Sequence, residues 1–94
     1  MKGVVINMKK TIMGIQLGDR EEEALEVQRL LTEYGCYIKT RIGVHDVESK
    51  SETCSPIGII ILDLILGKDE KIKELKEKLD KINGVVVKIM EFNL

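Results

Sequence analysis

The sequence predicts an α+β fold with four strands and two helices in the order βαββαβ. Apolar residues recur with period two in four segments, as they do along half-buried strands. They recur at spacings of three and four in two others, the stripe of an amphipathic helix. Glycine-bearing turns such as Gly18-Asp19 and Asn83-Gly84 fall where one period gives way to the next.

The first strand is expected over 11–17, with Met13, Ile15 and Leu17 on one side and Gly14 and Gln16 on the other. Asp19 then reads as a helix N-cap with Glu22 as its capping-box partner, and Glu21, Glu22 and Glu23 stand where the helix dipole favours acids. Ala24, Val27, Leu31 and Tyr34 give that helix its apolar stripe, and Gly35 is expected to end it. The second strand is expected over 36–44. Cys36, Ile38, Thr40, Ile42 and Val44 point one way, and Tyr37, Lys39, Arg41 and Gly43 the other. Residues 45–56 are polar and read as a loop.

The third strand, over 57–66, is apolar on both faces, with Ile60, Leu62 and Leu64 on one and Ile59, Ile61 and Ile65 on the other. Asp63 is its only charge. Asp69 caps a second helix whose stripe is Ile72, Leu75, Leu79 and Ile82, with Glu74–Lys78 and Glu77–Lys81 as pairs on its wet side. A last strand covers 85–92. This is the ferredoxin-like split-βαβ order, a four-stranded antiparallel sheet with two helices on one face. Right-handed crossovers put the first and third strands in the centre.

At 94 residues the chain makes one domain, expected over 10–94. Residues 1–9 form an N-terminal extension, with Val4-Val5-Ile6 as an added edge strand or with Met8 as the true start. The chain balances 15 basic against 16 acidic residues, which argues against nucleic-acid binding through a positive surface. No apolar run is long enough for a membrane span or a signal peptide, so the chain reads as cytoplasmic with reduced Cys36 and Cys54.

The sheet face without helices meets water in an isolated domain and normally turns polar. Here Ile12, Ile59, Ile61 and Ile65 fall on it, with Val86 and Met90 or their neighbours. Such a patch marks an interaction surface, expected to be homo-oligomeric and to involve Tyr37, Lys39, Arg41 and Asp63 as well. Asp63 then needs a partner such as Lys39, Arg41 or Lys88. Two readings stand for Arg41: a charged edge that resists aggregation, or a guanidinium that binds an anion. Gly18 before a helix start likewise serves either turn geometry or an anionic ligand.

No catalytic set assembles. His45 is the only histidine, and with Cys54, Asp46 or Glu48 it gives weak metal candidates at a spacing that matches no zinc signature. Cys36 is expected to be a small core residue. Neither catalytic residues nor a cofactor are expected.

Several segments recur in a known order: Asp19-Arg20-Glu21-Glu22-Glu23-Ala24, Leu30-Leu31-Thr32-Glu33-Tyr34-Gly35, Arg41-Ile42-Gly43-Val44, Cys54-Ser55-Pro56-Ile57-Gly58-Ile59-Ile60-Ile61-Leu62, and Leu79-Asp80-Lys81-Ile82-Asn83-Gly84-Val85-Val86-Val87-Lys88. Over roughly residues 10–92 the chain resembles the family assigned as regulators of the iron-only hydrogenase system. The resemblance implies an ACT-like domain, similar to the ligand-binding domain of nickel-responsive repressors. It implies a free-standing regulatory module that oligomerises, with a small-molecule effector between subunits near the turn after the first strand. Gly18, Asp19 and Arg20 hold that position, and Arg41 and His45 complete the candidate ligand set. One histidine departs from the several that nickel-responsive repressors use, so no nickel-type site is expected. The function expected is that of an oligomeric ligand-sensing module, with transcription or the hydrogenase system as its field; the rival is an adaptor that docks a partner protein through the open face.

Overall fold

The computed structural model describes residues 8–18, 20–45 and 58–94. The first period-two stretch forms β1, Lys9–Gln16, with Thr11, Met13 and Ile15 buried. Helix α1 follows over Glu21–Glu33 and buries Val27, Leu30 and Leu31. Strands β2 (Ile38–His45) and β3 (Gly58–Leu64), helix α2 (Asp69–Asp80) and strand β4 (Val86–Asn93) complete the βαββαβ order. The strands pair antiparallel in the order β2-β3-β1-β4, so the first and third are central. Both helices lie over one face. Their stripes, Val27, Leu30 and Leu31 and Ile72, Leu75 and Leu79, close on Met13, Ile15, Ile60, Leu62, Leu64 and Val87. Ile82 and Leu17 pack at the margin of this core.

Three local expectations are corrected. Gly35 does follow the Tyr34 cap and ends α1 as expected, but it does not take the left-handed conformation. The chain makes a short 3-10 turn over Gly35–Tyr37, and only Gly67 and Gly84 among the described residues have positive φ. The strand therefore starts at Ile38, and Cys36 is exposed on the turn rather than buried in the core. Second, the β2–β3 register shifts between Ile38 and Thr40, leaving Lys39 as the extra residue of a bulge. One inserted residue reverses the phase of all that follow. Ile38 pairs with Leu64 on the helix side, but Thr40, Ile42 and Val44 pair with Asp63, Ile61 and Ile59 on the open side. Arg41, paired with Leu62, faces the helices, and Tyr37 packs against the core beside Tyr34, ring centroids 6.1 Å apart. Neither belongs to the open face.

Third, among the described residues neither helix start carries a side-chain cap. Arg20 occupies the cap position of α1, and Asp19 lies outside the described residues. On α2 the ion pairs are Lys71–Glu74 at 3.3 Å and Lys76–Asp80 at 2.7 Å rather than the pairs the spacing predicts. Lys78 is diverted to the other helix, 3.6 Å from Glu33 and 5.0 Å above the Tyr34 ring centroid. On α1, hydrogen bonding to Arg29 holds the Glu26 carboxyl below its ordinary pKa.

Candidate functional site

The pairing registers set the open face out in rows. Val44, Ile59, Gln16 and Val86 form one row across the four strands. Ile42, Ile61, Gly14 and Lys88 form the next, and Thr40, Asp63, Ile12 and Met90 the third. Lys10 and Phe92 pair in the row beyond. Ile42, Val44, Ile59, Ile61, Val86, Met90 and Phe92 are all exposed. Alternation forces this: each strand that buries one set on the helix side must turn the other outward, and the other set is also apolar. Asp63 does find a cation, but it is Lys10, at 2.5 Å, reaching diagonally along the sheet. Lys10 Nζ also donates to the Leu64 carbonyl at 2.9 Å. Ile65 follows β3, half-buried, its N–H bonded to the Tyr37 carbonyl. Lys39 is exposed on the bulge.

The second cluster lies at one end of the sheet. Leu17 N–H donates to the Gly58 carbonyl at 2.9 Å, and Gly58 pairs with His45, so the β1–α1 turn and the end of β2 share this end. They stand two strand spacings apart, about 10 Å. Gly18 approaches Gly84 so closely that a Cβ on it would lie 3.0 Å from the Gly84 carbonyl oxygen. Arg20 is exposed and reaches toward Glu22 and Glu23 at 3.7 and 3.8 Å. Arg41 lies four residues back along β2, on the helix side, and donates to Gln28 Oε1 of α1.

Glu23 is the residue the sequence did not single out. Its spacing reads as an ordinary first-turn acid, yet its side chain is largely buried and its Oε2 has no hydrogen-bond partner. Gly84, at φ +79°, leaves room for it: a Cβ there would sit 2.7 Å from Oε2. Asp19, Asp46, Glu48, Cys54 and the His45 side chain lie outside the described residues. Among the described residues no group of three His, Cys, Asp or Glu side chains is placed to hold a metal.

The family model that matches spans residues 9–89 and carries the description "TM1266-like: Iron-only hydrogenase system regulator, putative". The chain belongs to this family. The structure of TM1266 from Thermotoga maritima, 28% identical, superposes with a TM-score of 0.73 over 90% of this chain and 98% of that one. Two further likenesses, both under 20% identity, show the fold alone. CPII, a nitrogen regulatory PII-like protein from Thiomonas intermedia K12 bound to ADP, AMP and bicarbonate, is 16% identical with a TM-score of 0.58, over 93% of this chain and 94% of that one. The ACT domain of the GTP pyrophosphokinase of Chlorobium tepidum is 17% identical with a TM-score of 0.54, over 90% of this chain and 100% of that one. No curated protein matches the chain. None of the described helices is long and apolar enough to cross a membrane.

Proposed function

We propose that this protein is a non-enzymatic regulatory module that works as a homo-oligomer, two copies meeting through their open sheet faces, and that senses a small molecule. The single observation that carries the assembly is the run of seven exposed large apolar side chains on that face. The largest patch on a typical monomer is about 300–600 Å² and often functional, and a face of this kind is stabilised by being covered. The family assignment supports regulation. A PII-like neighbour whose structure holds ADP, AMP and bicarbonate supports a small ligand.

The ligand site belongs at the end of the sheet where Gly18, Asp19 and Arg20 follow β1 and His45 ends β2, with Arg41 behind them. Arg20 supplies an exposed guanidinium, and the Gly18–Gly84 contact brings two backbones together beside the buried Glu23 carboxylate. A ligand bound there shifts the equilibrium between subunit arrangements by its differential affinity for them.

Sedimentation equilibrium tests the assembly, and thermal shift against nucleotides, amino acids, bicarbonate and divalent metals tests the sensing. A dimer or tetramer stabilised by one of these ligands is expected. A monomer at every concentration overturns self-association and leaves the face to a partner protein.

A further inference from the structure

Nothing among the described residues requires a glycine at position 14. Gly14 stands within β1, a central strand, between Ile61 on β3 and Lys88 on β4. Glycine there loses more chain entropy on folding than alanine and gives no side chain to the packing. A strand glycine is accounted for by a bulge, a bend or the close approach of another group. The β1 pairings run without a shift on both sides, so no bulge is present. Its φ is not positive. A Cβ on Gly14 would meet nothing nearer than the Lys88 carbonyl oxygen, at 4.0 Å. Gly18 and Gly58 differ, because a Cβ on either would stand 3.0 or 2.8 Å from a backbone oxygen. Gly35 and Gly43 also have open space, but they lie on a turn and on an edge strand.

The missing side chain leaves a dent in the open face. Ile61 and Lys88 stand beside it in the row, and Ile12 and Gln16 lie at its two ends along β1. Ile61, 37% exposed, is the large apolar side chain next to it. The acid of this face, Asp63, is already paired with Lys10, so the dent sits in a near-neutral field that suits an apolar group. Strands about 4.8 Å apart and rows about 6.8 Å apart make a face of roughly 19 by 25 Å, so two such faces bury about 1,000 Å² in total, the size at which a specific interface begins.

We infer that the dent at Gly14 receives Ile61 of a second copy of this chain, while its own Ile61 enters the dent of that copy. A two-fold axis lying in the interface, parallel to the strands and between β1 and β3, makes both contacts at once, because it keeps each row and reverses the order of strands along it. The same axis passes through the middle of the order β2-β3-β1-β4, so it also lays the whole of one face on the whole of the other. Facing sheets stand about 10 Å apart with interdigitating side chains. Isoleucine over glycine allows that approach, whereas isoleucine over isoleucine holds the sheets apart. The inference rests on the open-face reading above, for which it names the contact that aligns the two copies.

Gly14→Ala and Gly14→Val fill the dent, and sedimentation equilibrium of the full chain reads the dissociation constant. Gly14→Ala is expected to raise it about tenfold and Gly14→Val about 100-fold, as overpacking a closed contact does. Urea unfolding at low concentration is expected to find the Gly14→Ala subunit at least as stable as the wild type, because the new side chain enters open space. Ile61→Ala alone is expected to weaken association. Joined to Gly14→Val it moves bulk from one side of the contact to the other, and is expected to recover at least about tenfold of the affinity that Gly14→Val loses. The inference is overturned if either Gly14 variant associates as the wild type does, if Ile61→Ala brings no recovery, or if Gly14→Ala destabilises the subunit, since the glycine then serves the fold. Should Ile61→Lys separate the copies while Gly14→Ala and Gly14→Val do not, the open face stands as the interface and the dent at Gly14 falls. A wild type that is monomeric at every concentration overturns both.

Discussion

Ile61→Lys separates assembly from folding. Ile61 lies at the middle of the open face, between Ile42 on β2 and Gly14 on β1. It is 37% exposed in one subunit. Full burial of an isoleucine is worth roughly 1.5–3 kcal/mol, so covering the remaining third is worth roughly 0.5–1 kcal/mol per copy and about twice that in a two-fold dimer. Lysine forfeits this and places an ammonium in the interface of each copy. Lys88 stands in the same row across the side-chain-free Gly14, so the new charge meets a like one. Burying an uncompensated charge costs several kcal/mol. The dissociation constant is therefore expected to rise by more than about 100-fold. The monomer is expected to lose less than about 1 kcal/mol, since the site is wet in the isolated chain. Sedimentation equilibrium over a concentration series reads the first effect, and urea unfolding at low concentration reads the second. An unchanged oligomer mass for Ile61→Lys, with the fold intact by circular dichroism, refutes the open face as the interface.

Two further outcomes follow from the geometry. Gly84→Ala forces an L-residue to φ +79° and brings its Cβ against Glu23 Oε2, so a loss of about 1–2 kcal/mol is expected, seen as a fall of roughly 5–15 °C in melting temperature. Adding Glu23→Ala relieves the contact but not the dihedral, and is expected to restore only part of the loss. The Glu26 carboxyl sits below its ordinary pKa through its hydrogen bond to Arg29. Its contribution is therefore present above the ordinary carboxylate range and lost as pH falls through the depressed value. Glu26→Gln is expected to flatten the acid limb of the urea midpoint, with the change confined to that window; equal slopes for both proteins count against the pair.

The element order and the core were legible because each element keeps one period over its whole length. Met13 and Ile15, then Val27 and Leu31, then Ile72, Leu75 and Leu79 mark their inner faces without help from anything distant. Ile59 and Ile61 could be set on the open face for the same reason. Strand β2 resisted. Its apolar set and its charges alternate cleanly, but the phase depends on whether one residue is looped out at Lys39, and that is decided by the partner strand. So Ile42 and Val44 were expected inward and lie outward, while Arg41 did the reverse. The Lys10 partner of Asp63 was missed because the contact is diagonal between strands 53 residues apart in sequence. The burial of Glu23 was hidden for a similar reason: Gly84, the residue that makes room for it, belongs to the turn before β4.

The charges on the open face bear on what covers it. A surface built for a charged partner leaves a complementary charge open, whereas Asp63 is neutralised from within the chain by Lys10. Lys88 lies on the edge strand, where its long stem lets the ammonium reach the rim. The face is thus near-neutral and apolar, which suits a second copy of itself. In the separate subunit the Lys10–Asp63 pair is partly wet, with side chains 22% and 31% exposed, and is worth less than about 1 kcal/mol. Covered by a second copy it is dry, and removing one partner strands a buried charge at about 3–5 kcal/mol. Lys10→Met is therefore expected to weaken association strongly while barely changing monomer stability. The double variant Lys10→Met with Asp63→Leu removes both charges and is expected to associate as well as the wild type or better. A double-mutant cycle on the dimer dissociation constant reads this directly. If Lys10→Met leaves association untouched while the protein still dimerises, the copies meet elsewhere and Asp63 remains in water.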